Sequence, residues 1–172
     1  MTGSLPSDIR DAVESHDAYT VDDGRASVTT TVFEGVLTTD EADAEWADHY
    51  VVTVVVPTLS AAVAGEVGDA VESGWLDTLE RRLEDAPKAT RATVDLAAFE
   101  VTSDDDTVTV TYEFTNGTPN QAIDIAKTFV EYVEGTYAEG VVPGYDYQPP
   151  VSKLLQQAQS GSSEGERGGT PL

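Results

Sequence analysis

The stretch TVTVTYEFTNGTPNQAIDIAKTFVEYVEG, residues 107–135, decides the fold because it places a strand directly before a helix. Its first nine residues alternate between apolar side chains and threonine or glutamate. A period of two is typical of a strand with one buried face and one wet face. The apolar positions are Val108, Val110, Tyr112 and Phe114. The stretch therefore predicts an antiparallel sheet whose inner face needs a cover.

The second half of the stretch supplies that cover as a helix. Its apolar residues recur at spacings of three and four, which is typical of an amphipathic helix. They are Ala122, Ile123, Ala126, Phe129, Val130 and Val133. Thr118 suits the N-cap, Pro119 the first helical position, and Gln121 the far end of a capping box. We expect the helix to end at Gly135, since glycine is the commonest residue just past a helix end.

The N-terminal half predicts further strands. The run WADHYVVTVVVP, residues 46–57, is rich in β-branched residues, so we expect a central strand covered on both faces. Asp23-Gly24 between two alternating runs predicts a hairpin. The second hairpin strand is expected to continue through ASVTTTVFEGVL, residues 26–37, with a bulge or with burial on both faces.

The remaining elements complete an α+β order. Helical spacing is found over residues 6–16 and 74–86, glycines predict mostly loop before residue 74, and residues 92–101 predict a strand. The order is α-βββ-α-ββ-α, a two-layer domain with an antiparallel sheet of about five strands and helices on one face. The secretion-chaperone-like fold, which binds polypeptides, has a similar element order. We expect residues 1–150 to form this single domain, and residues 151–172 to form a short helix and a disordered tail.

Charge is the strongest compositional signal. The chain has 32 acidic and 9 basic residues, a net charge of -23, and these acids are spread along the whole domain. Such self-repulsion is tolerable where salt screens it, so we interpret the charge as adaptation to a cytoplasm of molar salt. The sparse basic residues argue against nucleic-acid binding, and the alternative interpretation of the charge is an acidic mimic of DNA. The longest apolar run is too short to cross a membrane.

Three segments resemble a known family. VVVPTL, GWLDTLERRLEDA and FVEYVEGTYAEGVVPGYDY, on this acidic background, look like a family of short haloarchaeal proteins known as a domain of unknown function. The resemblance runs from about Leu5 to Gln157. It implies a halophilic archaeal cytoplasm, and it implies no activity and no catalytic residue.

Signals for catalysis or metal binding are weak. The chain has no cysteine, and its two histidines, His16 and His49, are interpreted as structural. The acidic run at residues 104–106 is typical of a tight turn rather than of a cation loop. Trp46 and Trp75 each begin an apolar element, and we expect both to pack in the core. We therefore predict no catalytic residue, no metal and no cofactor, and consider an enzyme less favoured than a binding protein.

The segment GTYAEGVVPGYDYQPP, residues 135–150, is the candidate site. One interpretation is a helix end that folds back onto the core through a Pro-Gly turn. The other is a partner-binding surface, because tyrosine is enriched at interfaces. Its candidate residues are Tyr137, Pro143, Gly144, Tyr145 and Tyr147. The favoured function is protein or peptide binding, with a homodimer left open; the alternative is a small-molecule-binding protein or undescribed enzyme with a pocket under this segment.

Overall fold

The computed structural model describes residues 5–22, 24–40, 48–91 and 93–157. The helices are α1 (Ser7–Glu14), α2 (Leu59–Ala62), α3 (Asp69–Leu83), α4 (Pro119–Glu139) and α5 (residues 151–157), with a 3-10 helix at Ala86–Ala89. The strands are β1 (Tyr19–Asp22), β2 (Arg25–Val28), β3 (Gly35–Asp40), β4 (Asp48–Pro57), β5 (Val63–Ala64), β6 (Ala98–Ser103), β7 (Thr107–Asn116) and β8 (Asp146–Tyr147).

Six of these strands form one antiparallel sheet in the order β1-β2-β3-β4-β7-β6, and β5 pairs with β8 in a small second sheet. Helices α1, α3 and α4 contribute buried side chains to the same core as the sheet. The predicted α+β class is confirmed. The main sheet has six strands where about five were expected.

The extra strand comes from a break in a stretch that the sequence predicted as one strand. Strand β2 ends at Val28 and β3 begins at Gly35, so the prediction of one strand over residues 26–37 is wrong. The intervening loop is held by α4: Glu134 accepts hydrogen bonds from the backbone N–H groups of Val32 and Phe33. These long-range contacts satisfy backbone groups that a continuous strand would have paired with a neighbour.

The central strand β4 was predicted to be covered on both faces, and this prediction is wrong. Its residues alternate between fully buried and more exposed positions, and Val55 on the outer face is 44% exposed. The inner positions Tyr50, Val52, Val54 and Val56 are buried. The β-branched outer positions contribute to strand propensity on the more exposed face of the sheet.

Strand β7 and helix α4 match the predicted core pattern. The four inward residues of β7 are buried, and the predicted stripe of α4 is buried in full. Thr118 and Pro119 occupy the predicted N-cap and first positions. The capping box does not form, because the Gln121 side chain accepts a hydrogen bond from Asn116 instead.

The remaining boundaries differ from the predictions by several residues. Helix α3 begins at Asp69 and passes through Gly74, while β6 begins only at Ala98. The expected burial of Trp75 is confirmed, with 6% of its surface exposed. Trp46 and residues 158–172 lie outside the described residues. Helix α5 packs against the core through Val151 and Leu154.

Candidate functional site

Helix α4 continues past the residue at which we expected it to end. The predicted stop at Gly135 is wrong: the helix ends at Glu139, and Gly140 N–H donates to the carbonyls of Thr136 and Tyr137. An alanine Cβ at Gly135 would meet no atom within 4 Å, so this glycine needs no special conformation. The burial of Thr136 and Tyr137 accounts for the extra turn, because both gain core contacts only if the helix continues.

Tyr137 lies inside the core. It is 1% exposed, and its ring makes edge contacts with Phe33 at 4.9 Å and Trp75 at 5.6 Å between centroids. Its hydroxyl donates to the Pro57 carbonyl over 3.0 Å. Burial raises the pKa of the Tyr137 hydroxyl, so the ring stays neutral. Tyr137 therefore supports the candidate segment from within.

Tyr147 stabilises the loop that follows α4. Its hydroxyl accepts a hydrogen bond from Val142 N–H at 2.8 Å and donates one to the Val142 carbonyl at 2.7 Å. Burial raises the pKa of Tyr147. The backbone pairing of β8 with β5 anchors the same loop from the other side.

The other three candidate residues lie on or near the surface. Pro143 and Gly144 are exposed, and Gly144 has a φ of 95°, which favours glycine. Tyr145 is half-buried and packs against the core. The structure thus divides the five candidates into a buried tyrosine, Tyr137, a half-buried tyrosine whose hydroxyl bonds within the loop, Tyr147, and a short outer turn.

A cavity of about 240 Å³ opens between α3, the end of α4 and this loop. We call it the α3–α4 cavity. It is lined by Gly74, Trp75, Thr78, Leu79, Arg82, Thr136, Gly140 and Val142. Tyr137 and Tyr147 both contact its lining, since the Tyr137 ring packs on Trp75 and the Tyr147 hydroxyl bonds to the Val142 backbone. The tyrosine-rich segment therefore helps to form the cavity wall. The sequence had suggested a pocket under this segment but had not identified its lining residues.

The cavity lining combines an apolar wall with a few polar groups. Trp75, Leu79 and Val142 provide the apolar surface, and the hydroxyls of two threonines and the Arg82 guanidinium provide hydrogen-bond donors. Arg82 is 45% exposed and contacts the Glu139 carboxylate at 3.1 Å. A ligand with an apolar group and an adjacent acceptor matches this arrangement.

Sequence reasoning missed Thr78 and Arg82. The Arg81-Arg82 pair was interpreted as part of a solvated helix face. The signal that identifies the lining is the spacing of Trp75, Thr78, Leu79 and Arg82, which places all four on one side of α3.

The two histidines lie away from the cavity and are each paired. His16 Nε2 lies 3.0 Å from Asp124 Oδ1, while its Nδ1 accepts a hydrogen bond from Ala18 N–H. His49 Nε2 lies 2.7 Å from Glu113 Oε1 on the outer face of the sheet. Both pairs link elements that are distant in the chain, which suits a structural role.

The acidic turn between β6 and β7 closes on itself. Asp104 Oδ1 accepts hydrogen bonds from the N–H groups of Asp106 and Thr107, and these bonds lower the pKa of Asp104. Among the described residues, no group of three or more histidine or acidic side chains is arranged to hold a metal ion. Within the same residues, no helix is both long enough and apolar enough to span a bilayer.

Comparison with known proteins identifies a family for this chain but indicates no activity. Neither the curated proteins nor the solved structures contain a match to this chain. One family model matches residues 14–157, which covers all the strands and the whole α3–α4 cavity. This agrees with the resemblance seen in the sequence. The chain belongs to DUF5813, a family of unknown function.

Proposed function

We propose that the protein is a non-enzymatic module that binds a protein or peptide, and that the α3–α4 cavity takes up one apolar side chain of that partner. The volume of the cavity carries the proposal. At about 240 Å³ it lies below the ~300–1,000 Å³ typical of sites for whole small molecules. A single anchoring side chain in a compact pocket is a common way for an interface to gain affinity.

The chemistry of the lining favours binding over catalysis. Among its eight residues the only ionisable side chain is Arg82, which stays protonated at all ordinary pH values. General acid–base catalysis needs a group that titrates near the working pH. Hydroxyls and a guanidinium instead suit recognition of backbone carbonyls beside the anchoring side chain.

The rim of the cavity offers a contact surface for the rest of the partner. Val142 continues directly into the exposed turn at Pro143 and Gly144, followed by the half-buried ring of Tyr145. An amphipathic ring beside an apolar pocket is favourable for an interface, because tyrosine buries area at low entropic cost. Rigid support from Tyr137 and Tyr147 limits the ordering cost on binding.

We also infer that the protein works in the cytoplasm of a salt-rich cell. The net charge of -23 supports this, since the Debye length shrinks from about 10 Å at 0.1 M salt to about 3 Å at 1 M. We expect the melting temperature to rise steadily with KCl over this range. A melting temperature that is independent of KCl would contradict the inference.

The binding proposal is tested by selecting ligands from a displayed random-peptide library, in both dilute and molar KCl. Binding is then measured with Trp46→Phe as the background, which leaves Trp75 of the cavity wall as the only tryptophan. We expect selected peptides to share an apolar residue and to change the fluorescence of Trp75. Replacing that apolar residue by serine should abolish the change.

Two glycine variants form a matched pair for the same assay. Gly74→Leu places a side chain at the cavity wall, where a Cβ meets no atom within 4 Å, and we expect it to block binding. Gly135→Leu makes the same change at an open position of α4 and should bind as the parent does. Equal peptide binding by the two variants, or a small molecule retained by the purified protein in native mass spectrometry, would contradict the proposal.

A further inference from the structure

Strand β6 is an edge of the main sheet. Among the described elements only β7 pairs with it, through the register from Ala98 opposite Glu113 to Ser103 opposite Val108. Its residues are exposed or half-buried along the whole strand. An edge strand presents unpaired backbone groups that can pair with another extended chain.

The turn after β6 fixes which backbone groups face outward. Asp104 N–H donates to the Thr107 carbonyl, so these two residues form the hydrogen-bonded pair that closes the hairpin. In an antiparallel ladder such pairs alternate with non-hydrogen-bonded pairs. The backbone groups of Ser103, Val101 and Phe99 therefore point away from β7, at the spacing that an added strand requires.

A groove runs between this edge and α3. We call it the α3–β6 groove; its volume is about 440 Å³, and it is lined by Asp77, Glu80, Arg81, Glu84 and Phe99. Its floor is the half-buried ring of Phe99, whose centroid lies 5.2 Å from that of Tyr112. The wall formed by α3 carries three carboxylates and one guanidinium, so it is acidic.

We propose that β6 binds an extended peptide segment with lysine or arginine at alternate positions, as an added strand of the sheet. Alternate side chains of an added strand point to the same face. On the α3 side, the aliphatic stem of a basic side chain would cover the Phe99 ring while its charged head meets the carboxylates of α3. This site does not depend on the α3–α4 cavity, which uses the opposite flank of the same helix.

Charge complementarity selects this occupant over a second copy of the chain. Pairing of two β6 strands would bring together two molecules that each carry a charge of -23. Each copy would also add its own exposed Glu100 to the interface. A basic segment instead gains attraction along the whole groove, and backbone pairing fixes its direction and register.

The probe is a fluorescein-labelled, end-capped octapeptide of alternating threonine and lysine, compared with one of alternating threonine and glutamate. Anisotropy is measured with the full chain in KCl of about 0.1 M and about 1 M, which separates diffuse attraction from short-range contacts. We expect the lysine peptide to bind and the glutamate peptide not to bind. In two-dimensional NMR spectra, the amide signals of Phe99, Val101 and Ser103 should shift and gain protection from hydrogen exchange.

Two triple variants change the charge equally at different places. Asp77→Asn/Glu80→Gln/Glu84→Gln removes the three carboxylates of the groove and leaves Arg81 as its only charged side chain, and we expect the lysine peptide to bind about tenfold more weakly. Asp11→Asn/Asp17→Asn/Glu66→Gln neutralises three exposed acids elsewhere and should leave the affinity nearly unchanged. Equal losses in the two variants would mean that only the total charge attracts the peptide, and would overturn the proposal.

The backbone contribution is tested separately by Val101→Pro, which removes an outward-facing N–H and no hydrogen bond to β7. We expect this variant to lose peptide binding while its circular dichroism matches that of the parent. If the variant fails to fold, the exchange protection of the Val101 amide in the parent complex decides the question. Lysine-peptide binding without that protection would overturn the proposal, as would protection that arises from dimerisation without any peptide.

Discussion

Gly35 lies at a close approach between the sheet and Val130 of helix α4, and its replacement by alanine tests the packing of the core at this point. The residue pairs with Val54 of β4 on the inner face of the sheet, under Val130 of α4. A Cβ at Gly35 would overlap both γ-methyl groups of Val130. Valine in a helix has one strongly preferred rotamer, so Val130 cannot turn away and the helix itself must shift.

We expect Gly35→Ala to lower the free energy of unfolding by about 2–3 kcal/mol, at the upper end of the range for overpacked cores. For a chain of this length each kcal/mol corresponds to about 2–4 °C, so the melting temperature should fall by roughly 4–12 °C. Urea unfolding and thermal melting followed by circular dichroism, at a fixed KCl concentration, measure both quantities.

A second substitution tests whether the steric overlap is the cause. Val130→Ala alone removes two buried methyl groups, which costs about 1.6 kcal/mol before any cavity term. In the double variant the new methyl at position 35 occupies part of the vacated space. We expect a favourable coupling of about 1–3 kcal/mol between the two changes.

The matched control is Gly135→Ala on the exposed side of α4. Its Cβ would meet no atom within 4 Å, so we expect a gain of about 0.4–1 kcal/mol from the reduced freedom of the unfolded chain. If Gly35→Ala were as stable as the parent, or if the costs of Gly35→Ala and Val130→Ala were simply additive, the assigned role of Gly35 would be refuted.

Three further predictions concern buried hydroxyl and carboxyl groups. Tyr112→Phe and Tyr137→Phe each remove a hydrogen bond to a backbone carbonyl, at 2.7 Å and 3.0 Å, and should each lower the free energy of unfolding by about 1 kcal/mol in urea titrations. Tyr50→Phe should have the opposite sign and raise it by about 1 kcal/mol, because the buried Tyr50 hydroxyl has no hydrogen-bond partner in the described part of the chain; a loss of stability would contradict this. Glu134→Gln should be nearly neutral at low pH, where Glu134 is protonated, and Glu134→Ala should cost about 1–3 kcal/mol, since one side-chain oxygen accepts both N–H groups of the loop between β2 and β3. Burial raises the pKa of Glu134 in the folded protein above its usual value of 4.5, so the stability that comes from its protonation is fully present below that value and is lost as the pH rises through the raised pKa, while the carboxylate still accepts the two hydrogen bonds from the loop. The parent should therefore lose stability relative to Glu134→Gln as the pH rises through this window. The difference between the two should be constant on either side of it, as measured by urea unfolding at a series of pH values.

The candidate site was only partly predictable. The segment around Tyr137 and Tyr147 was identified from its composition, but composition does not show whether a tyrosine faces the solvent or the core. The direction of Tyr137 depends on Trp75 and Phe33, which are far from it in the chain. Arg82 and Thr78 become cavity residues only because the end of α4 packs against that side of α3.

Local patterns determined the parts of the fold that depend on near neighbours. The alternation in β7, the helical stripe of α4 and the apolar run of β4 each identify an element from residues a few positions apart, because side-chain direction follows from local backbone geometry. The net charge and the absence of cysteine likewise follow from composition alone.

Tertiary contacts determined the structural roles of two glycines, Gly135 and Gly35. Gly135 matched a helix stop in the sequence, yet the helix continues because Tyr137 gains a buried position beyond it. Gly35 lies in a stretch that we predicted as one continuous strand, yet it begins β3 and admits Val130, a residue 95 positions away in the chain. A local pattern contains no information about which distant side chain will pack on a given residue, and that packing sets where these elements begin and end.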